Sequence, residues 1–569
     1  MASPNPRSTP GHAARSKYIG RRNVVLLDLE WGGVVYRVAT EPIELSSNDG
    51  VLSYGSGLAW PDYTERVDRD ETQTAAVEVW LSGVNVAKRR QRGHDLLRAS
   101  GELSVVTVQE HGRLKSIDQA WEGRLRLFRG KLTSPRHSAP ERLTRADAPD
   151  PKRNPGWLAF TLEQQPANDN ALLLGREAGT VSDTTWPSAE PAHVGRVYPL
   201  PIGDVGLYTK ATTTTTARVA GSPAPVIVLN GSNAEKLLIS GSPVKASTVT
   251  VVDEAGAWQA NFAVVHEADG LGQVCATVDI TTPGSIDPTD KTFFIAWNDG
   301  GGIVNPYGTG ALEFGGDVMR WALSRSGVPV DNGRWAAASE YLSRVKLATY
   351  VDDPEVTPWD WLIDNILDLF PFMTVLQGPQ GLYPVILDPR LTKRDAEPVT
   401  EGPEFSRIAA ISVDGRAEDA IQEFAIEFAI DRVSGEAKRR RVLTSDWDSS
   451  DPEHVTNSDV QISRRRYTEP GAPPQAMSFD TDVLYDGTSA DVVLYDLARA
   501  HGFIPDVTAY EADIAYGFVR AGHLLSITDA PAELTDRVGR VVARTMTRTS
   551  WIFSVRFDED PARDPRAST

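Results

Sequence analysis

The sequence predicts a multidomain protein of the α+β class that is predominantly β, with small antiparallel β-barrels or sandwiches and a helical module that carries a β-hairpin. Strand-like apolar runs separated by glycine fill both ends of the chain. Helical periodicity is concentrated in residues 312–388. The 569 residues exceed what one hydrophobic core can hold, and a prior of about 150 residues per domain indicates several folded units.

The beginning of the chain is divided between an arm and a β-domain. Residues 1–23 are predicted to be an N-terminal arm, because they contain proline, serine and basic residues but lack the apolar segment of a secretory signal. Two apolar runs then flank the pair Gly32-Gly33, which is typical of a β-hairpin. More short strands follow, so residues 24–170 are predicted to form a first β-barrel domain.

A linker and an insertion are predicted next. Residues 171–205 are predicted to be an extended linker strap, because Pro187, Pro199 and Pro201 each bias the preceding residue away from the helical conformation. Residues 206–300 contain short apolar runs rich in valine, isoleucine and threonine. They are therefore predicted to be an inserted β-rich domain.

Residues 301–395 are predicted to be the helical module. Apolar periodicity predicts its three helices and its hairpin at residues 316–326, 335–346, 357–370 and 373–386. Thr357 can cap the third helix, and Pro358 suits its first position because the missing N–H would be unpaired there in any case. Pro371 is expected to end it.

The last part of the chain returns to strands. Residues 396–557 are predicted to form a second β-barrel and closing domain, and residues 558–569 a polar C-terminal tail. A helix is predicted at 491–500, where Thr488 and Asp491 are spaced like a capping box. The final strand alternates so that four apolar side chains share one face: Trp551, Phe553, Val555 and Phe557.

The composition narrows the possible functions. A net charge of −19 and a pI near 5.0 argue against wrapping duplex DNA, although a negatively charged passage through which DNA slides is compatible with them. Cys275 is the only cysteine, so no intrachain disulfide can form and folding in a reducing cytoplasm is expected. No run approaches the roughly 18–20 apolar residues of a membrane-spanning helix.

The sequence contains no clear catalytic or cofactor-binding motif. Nine histidines are scattered, without a His-Glu-x-x-His pattern or paired cysteines that would indicate zinc, and no Gly-x-Ser-x-Gly sequence occurs. Gly308 and Gly310 begin like a dinucleotide fingerprint, but Glu313 occupies the position of its third glycine. Nothing marks any two of the 77 acidic residues as a converging pair. We predict no catalytic residue, no cofactor and no metal.

An acidic row is the first candidate interaction site. Asp360, Asp364 and Asp368 are each four residues apart, which places them along one side of the predicted third helix. Like charges at this spacing repel each other slightly. A solvated helix face is the simplest interpretation. The alternatives are the lining of a channel and a docking strip for a basic partner.

A basic cluster is the second candidate interaction site. Arg439, Arg440 and Arg441 follow Lys438 in an otherwise acidic part of the chain, and a second run occupies residues 464–466. A solvated face is again the simplest interpretation. Contact with acidic neighbours in an assembly is an alternative, because opposite charges fix register and partner choice. Nucleic-acid recognition is a third, although no aromatic side chains are interleaved with these arginines.

Three stretches together resemble the baseplate hub proteins of tailed phages. Residues 196–203 are similar to the proline-containing strap of phage tail proteins, and residues 359–385 are similar to the helix and hairpin of the hubs. Residues 519–529 are similar to a strand of their closing domain, except that His523 stands where the family commonly has an acidic residue after the glycine. The order of the predicted units also fits across most of residues 24–557.

The resemblance implies a structural protein of the virion, located in the tail tip and assembled in the host cytoplasm. It implies a homotrimer in which two small barrels per chain form a ring of approximate sixfold symmetry. The ring would bind the tail tube or distal tail proteins on one side and tip or fibre proteins on the other. DNA would pass through its centre only in transit, without specific binding. The particle would be a phage or a phage-like gene transfer particle.

Our leading hypothesis is therefore a non-enzymatic baseplate hub that acts during host cell attachment and DNA ejection. Two alternatives belong to other functional classes. One is a tail-associated hydrolase that cuts host wall glycan, and the other is a carbohydrate-binding adhesin of the tail tip.

Overall fold

The computed structural model describes residues 22–47, 50–67, 74–80, 99–110, 113–138, 157–163, 172–174, 179–206, 224–230, 235–253, 262–280, 293–297, 300–378, 380–387, 396–430, 436–547 and 550–558. These residues form a predominantly β, multidomain α+β fold with several sheets, as predicted. The predicted arm up to residue 21 and the predicted tail from residue 559 lie outside them.

The N-terminal part consists of strands with one short helix. Its elements are β1 (Arg22–Trp31), β2 (Val34–Ala39), β3 (Ile43–Ser47), β4 (Gly50–Ser56), β5 (Asp62–Arg66), β6 (Thr74–Trp80), β7 (Ser100–Glu110), β8 (Arg113–Leu114), α1 (Ile117–Glu122), β9 (Leu125–Ser138) and β10 (Trp157–Glu163). The predicted hairpin is confirmed, because β1 and β2 pair antiparallel. Gly32 and Gly33 have φ values of 59° and 74°, a backbone conformation that favours glycine.

The insertion contains two small antiparallel sheets. β11 (Leu200–Ile202) lies within the predicted linker. The strands of the predicted insertion are β12 (Ala224–Pro225), β13 (Ile227–Val228), β14 (Lys236–Ser240), β15 (Val249–Asp253), β16 (Ala263–Ala268), β17 (Val274–Asp279) and β18 (Phe293–Trp297). One sheet has the order β12-β18-β15 and the other β13-β14-β17-β16. β11 instead pairs with a strand of the helical module.

The helical module contains the elements α2 (Gly315–Ser324), α3 (Asn332–Ala337), α4 (Ser339–Leu342), β19 (Thr349–Val351), α5 (Pro358–Asn365), β20 (Met373–Gly378) and β21 (Gly381–Ile386). The second predicted helix is in fact two short helices, α3 and α4, which meet at Ala338. Different neighbours hold the two halves: the Trp335 indole donates to the Leu382 carbonyl, and the Tyr341 hydroxyl donates to Asp496. The predicted hairpin is confirmed as β20–β21.

The third predicted helix begins where expected but ends early. Thr357 caps it and Pro358 is its first residue, as predicted, but α5 stops at Asn365 instead of continuing to Phe370. The Asn365 side chain donates to the Trp361 carbonyl at 2.9 Å, so it competes for the acceptor that the helix would use. A 3₁₀ turn, Leu367–Leu369, follows.

The C-terminal part contains the elements β22 (Glu397–Thr400), β23 (Phe405–Arg407), β24 (Ser412–Val413), β25 (Glu423–Ile430), β26 (Ala437–Thr444), β27 (His454–Val455), α6 (Ser458–Tyr467), β28 (Ala476–Asp480), α7 (Gly487–His501), β29 (Asp506–Asp513), β30 (Leu524–Asp529), β31 (Leu534–Met546) and β32 (Ser550–Phe557). The four apolar side chains predicted to share one face of β32 are all fully buried. The predicted capping box of α7 is wrong, because the helix begins at Gly487 and Asp486 caps it by accepting from the Ser489 backbone.

One sheet connects the two ends of the chain. β5 pairs antiparallel with β31, so the N-terminal strands β1, β7, β9, β10 and β6 continue into the closing strands β30, β32 and β29. None of the described sheets is closed into a barrel. The N-terminal part of this sheet curls, because the segment after β4 bridges β2 and β6. The Leu58 backbone N–H donates to the Ala39 carbonyl, and the Ala59 backbone N–H donates to the Glu78 carbonyl. The predicted barrels thus correspond to open, curled sheets.

Two large apolar cores divide the molecule. One lies within the continuous sheet and contains Tyr63, Phe160 and Trp551. The other unites the insertion, the helical module and the elements β25, β26 and α7, with Phe424 and Leu494 among its buried residues. The elements from β25 to α7 therefore pack on the helical module, although they lie within the region predicted as the second barrel.

Candidate functional site

The predicted acidic row is exposed but is not one helical row. Asp360 and Asp364 lie four residues apart on α5, whereas Asp368 follows the helix in the 3₁₀ turn. Asp360 also has a local role. Its carboxylate accepts a hydrogen bond from the Thr357 hydroxyl at 2.7 Å, and its backbone N–H donates to the Thr357 hydroxyl oxygen at 3.1 Å. Its carboxylate near the helix N-terminus is favourably placed for the helix dipole.

The Thr357 cap can be tested directly. We expect Thr357→Ala to lower the free energy of unfolding by about 1 kcal/mol, because it leaves the Asp360 backbone N–H without its acceptor. Thr357→Ser keeps the hydroxyl and should cost only a few tenths of that. Urea unfolding followed by tryptophan fluorescence compares the two variants, and equal losses would contradict the capping role.

The acidic row belongs to an acidic stretch of the sequence. Asp352, Asp353 and Glu355 are exposed just before α5, and the sequence has no lysine, arginine or histidine in residues 347–389. This stretch of the chain therefore repels polyanions and attracts basic groups locally.

Arg439 and Arg441 form hydrogen bonds and an ion pair with other residues of the same chain. The Arg439 guanidinium donates to the Tyr485 carbonyl at 3.2 Å. Arg441 donates to the Pro452 carbonyl, and its Nε lies 3.2 Å from the Asp491 carboxylate. These contacts attach β26 to α7 and to the loop before β27, so both side chains have structural partners.

Arg440 points to the other side of β26, as alternation along a strand requires. It lies 3.7 Å from Glu427 and 4.0 Å from Glu453, and about half of its side chain is exposed. The three arginines therefore do not form one surface. Those at 464–466 occupy the last turn of α6, where positive charge is favourable for the helix dipole.

A buried charged junction, which the sequence did not predict, lies where β5 meets β31. It comprises Tyr63, Glu65, Arg520 and Arg544, and Glu65 and Arg544 are almost fully buried. The Glu65 carboxylate accepts from the Tyr63 hydroxyl at 3.1 Å and from Arg520 at 3.2 Å, and it also forms an ion pair with Arg544. The sequence did contain a signal, because Glu65 lies two residues after Tyr63 on a strand and therefore shares its inward face. A buried charge at such a position needs a partner.

Backbone contacts extend the charged junction to its surroundings. Arg544 donates to the carbonyls of Gly517 and Val519, each at 2.8 Å. Arg520 donates to the Leu127 carbonyl of β9 at 3.0 Å. Burial raises the pKa of Glu65, but the charges of Arg544 and Arg520 outweigh it and leave that pKa below its ordinary value.

His523 stands where the family that the chain resembles commonly has an acidic residue. It is a neutral hydrogen-bond acceptor beside the charged junction. The Arg520 backbone N–H donates to its Nδ1 at 3.2 Å. Burial, together with the positive charges of Arg544 and Arg520, lowers the pKa of His523 to about 4. Protonation would place a proton on the accepting nitrogen and a positive charge beside the two arginines.

This geometry predicts a pH dependence. The pKa of His523 is lower in the folded chain than its unfolded value of 6.5, so the unfolded chain binds more protons and stability falls as the pH drops from about 6.5 towards about 4. In His523→Gln, the difference in Tm between pH 7 and pH 5 should be smaller than in the original chain. His454→Gln is the matched control, and an equal pH dependence in all three chains would contradict this role.

The hairpin of the helical module also reaches this region. Gly522, with a φ of 89°, lies directly against Val385 of β21, so a side chain on Gly522 would overlap it. The Arg334 guanidinium lies 4.0 Å from the centre of the Tyr383 ring in the same strand. The helical module therefore contacts the closing sheet next to the charged junction.

The described part of the chain contains neither a cluster of metal ligands nor a membrane-spanning helix. No group of three or more histidine, cysteine, aspartate or glutamate side chains there could hold a metal ion. Among the helices that the structure describes, none has the length and apolar character needed to span a bilayer.

No family model and no curated protein matches this chain. Solved structures similar to it include a tail protein from Neisseria meningitidis MC58, with 9% identity over 94% of this chain and 97% of that one, at a TM-score of 0.36. A 43 kDa tail protein of prophage MuSo2 from Shewanella oneidensis has 9% identity over 95% of this chain and 99% of that one, at a TM-score of 0.35. A chain of a native gene transfer agent virion has 12% identity over 69% of this chain and 92% of that one, at a TM-score of 0.38. The chain is thus similar to two tail proteins and a virion component.

Proposed function

We propose that this chain is a non-enzymatic structural component of a phage-type tail tip, a baseplate hub that forms a closed ring of three copies. The ring joins the tail tube or distal tail proteins to tip or fibre proteins and surrounds the path by which DNA leaves. The particle is a phage or a phage-like gene transfer particle.

One observation carries this proposal: the three stretches that resemble hub proteins all meet at the helical module. The strap resembles the hub strap, and its strand β11 pairs with β19 of the module. The helix and hairpin of the second stretch belong to the module itself. The third stretch contains Gly522, which lies against Val385 of that hairpin. Stretches more than 300 residues apart in sequence thus share one structural unit.

A rigid subunit also supports the proposal. A cyclic assembly closes only when each copy holds its interfaces at a fixed angle. The β5–β31 pairing joins the two ends of the chain into one sheet, and the charged junction fixes that pairing. This pairing restricts movement between the two ends of the described chain, which favours a fixed angle between interfaces.

The acidic surface suits a DNA passage. In this proposal Asp360, Asp364 and Asp368 face the lumen, where their charge prevents DNA from binding to the wall. Arg440 lies near Glu427 and Glu453 of its own chain but is half exposed, so in this proposal it also contacts an acidic neighbour in the assembly. Arg439 and Arg441 serve the fold of each subunit.

Mass photometry of the purified chain tests the ring. Three copies of 62.0 kDa give an expected mass of about 186 kDa. The same sample should not release fragments from peptidoglycan. A stable monomer that cleaves peptidoglycan would support the hydrolase alternative and would contradict the hub. A monomer that binds cell-surface glycan without assembling would support the adhesin.

A further inference from the structure

The turn of residues 520–523, the histidine turn, is a point where the closing sheet touches the helical module. Its Gly522 lies against Val385 and Leu387, so closely that a side chain on Gly522 would overlap Val385. The buried side chains of the hairpin belong to the core of the helical module, whereas those of β30 and β31 belong to the other large core. This contact therefore joins two separately packed units and can open without unpacking either core.

The His523 side chain shapes the histidine turn. The Arg520 backbone N–H donates to His523 Nδ1 at 3.2 Å, and the His523 backbone N–H donates to the Arg520 carbonyl at 3.1 Å. The Gly522 backbone N–H donates to the Val541 carbonyl of β31 at 2.7 Å. A ring nitrogen accepts a hydrogen bond only while it carries no proton. The turn therefore keeps this set of hydrogen bonds only while His523 is neutral.

Positive charges face His523 from both sides of the contact. Arg520 lies in the same turn and Arg544 on β31, while Arg334 of α3 belongs to the helical module. The carboxylate that faces His523, that of Glu65 on β5, is already paired with Arg520 and Arg544. A proton on His523 would therefore add positive charge to a cluster in which positive charge is already in excess.

Three further polar groups border this cluster. The Asp331 carboxylate lies 3.5 Å from Arg334 Nε, so it weakens the repulsion from that side without cancelling it. Burial raises the pKa of the phenols of Tyr63 and Tyr383, which keeps both uncharged at acidic and neutral pH. They therefore supply no negative charge that could stabilise a protonated His523.

We propose that the histidine turn is an acid-sensitive latch, in which protonation of His523 releases Gly522 from Val385 and frees the hairpin of the helical module from the closing sheet. The proton removes the acceptor of a backbone N–H within the turn, so the turn relaxes. The new charge also repels Arg334 and with it the helical module. This inference concerns a single chain and does not depend on the number of copies in the assembly.

Proton linkage gives the direction and size of the effect. In the closed latch the pKa of His523 is lowered from 6.5 to about 4, so the open form binds more protons. The closed form is therefore fully favoured above about pH 6.5 and becomes less favoured as the pH falls towards about 4. If opening restores the ordinary pKa, the equilibrium constant for opening rises about 20-fold between pH 7 and pH 5.

Hydrogen exchange of the full chain at pH 7 and pH 5, followed by mass spectrometry, tests the latch. With each rate divided by that of an unstructured peptide at the same pH, amide exchange in the histidine turn should rise about 20-fold at pH 5. Exchange in β1 and β7 should not change, because the latch opens locally. In His523→Gln the rise should disappear. His454→Gln is the matched control, since His454 Nδ1 also accepts a backbone N–H, and it should behave like the original chain.

Thiol labelling of a Val385→Cys chain is the second measurement, because it reports on the hairpin itself. The probe is 4,4′-dithiodipyridine, which reacts with thiols at acidic and neutral pH, and the original chain with its buried Cys275 gives the background. Relative to free cysteine at the same pH, labelling should be faster at pH 5 than at pH 7. The same chain with His523→Gln should show no such difference.

His523→Lys provides an independent variant, because it supplies a positive charge at neutral pH. It should open the latch at pH 7 and give the exchange and labelling that the original histidine gives at pH 5. Turn exchange that is equal at both pH values, that rises equally in His523→Gln, or that rises together with β1 and β7 would overturn the proposal. Faster turn exchange without faster labelling, or a closed latch in His523→Lys at pH 7, would overturn it too.

Discussion

Glu65→Gln is expected to lower the free energy of unfolding by about 3–5 kcal/mol, because it leaves a buried arginine without its counter-charge. Arg544 is fully buried, and its remaining hydrogen-bond acceptors are two backbone carbonyls, which carry no full charge. Glutamine has nearly the same shape as glutamate, so the effect reports the charge and not a cavity. Because the charged junction joins β5 to β31, the loss should separate the two ends of the sheet.

Differential scanning calorimetry and urea unfolding at neutral pH measure this loss. The matched control is Glu30→Gln: Glu30 is more than half exposed and lies 3.9 Å from an equally accessible Arg129. That substitution should change stability by no more than about 1 kcal/mol. If Glu65→Gln were as mild as Glu30→Gln, the charged junction would not hold the two ends of the sheet together.

Gly381→Ala is expected to cost about 2–5 kcal/mol, because it combines backbone strain with overlap of backbone atoms. Gly381 has a φ of 123°, which L-residues rarely adopt. An added methyl group would also lie on the Pro329 carbonyl, well inside van der Waals contact. That carbonyl cannot move freely, since it accepts a hydrogen bond from the Leu382 backbone at 2.8 Å.

Gly310→Ala provides the comparison for Gly381→Ala. Gly310 has a φ of 99°, also in the left-handed region, but no atom lies within 4 Å of the added methyl group. Only the conformational cost remains there, on the order of 1–2 kcal/mol. Thermal unfolding of both variants separates the two contributions. Equal losses would mean that the hairpin is not packed against the loop before α3 as the structure indicates.

Features that depend on neighbouring residues, such as helix caps, turns and strand faces, were predictable from the sequence. Thr357 and Pro358 mark the start of α5 because a cap and a proline at the first position depend only on neighbouring residues. The glycine turn between β1 and β2 and the buried face of β32 follow from the same short-range rules. The start of α5 and the hairpin β20–β21 are confirmed for this reason.

Long-range pairing was not predictable. Glu65 and Arg544 are 479 residues apart, and nothing in either local sequence indicates the other. The same applies to the β5–β31 pairing, which turns the predicted separate barrels into one continuous sheet. Helix α6 was also missed, since only Val460 and Ser463 are buried on it and it shows no apolar stripe.

Electron cryomicroscopy of the particle that contains this chain tests the central claim most directly. We predict three copies arranged around the tail axis, between the tube and the tip proteins, with the acidic surface around Asp360 and Asp364 facing an open channel. A map that shows this chain away from the axis, as a single copy with a sugar bound among converging side chains, would contradict the proposed hub.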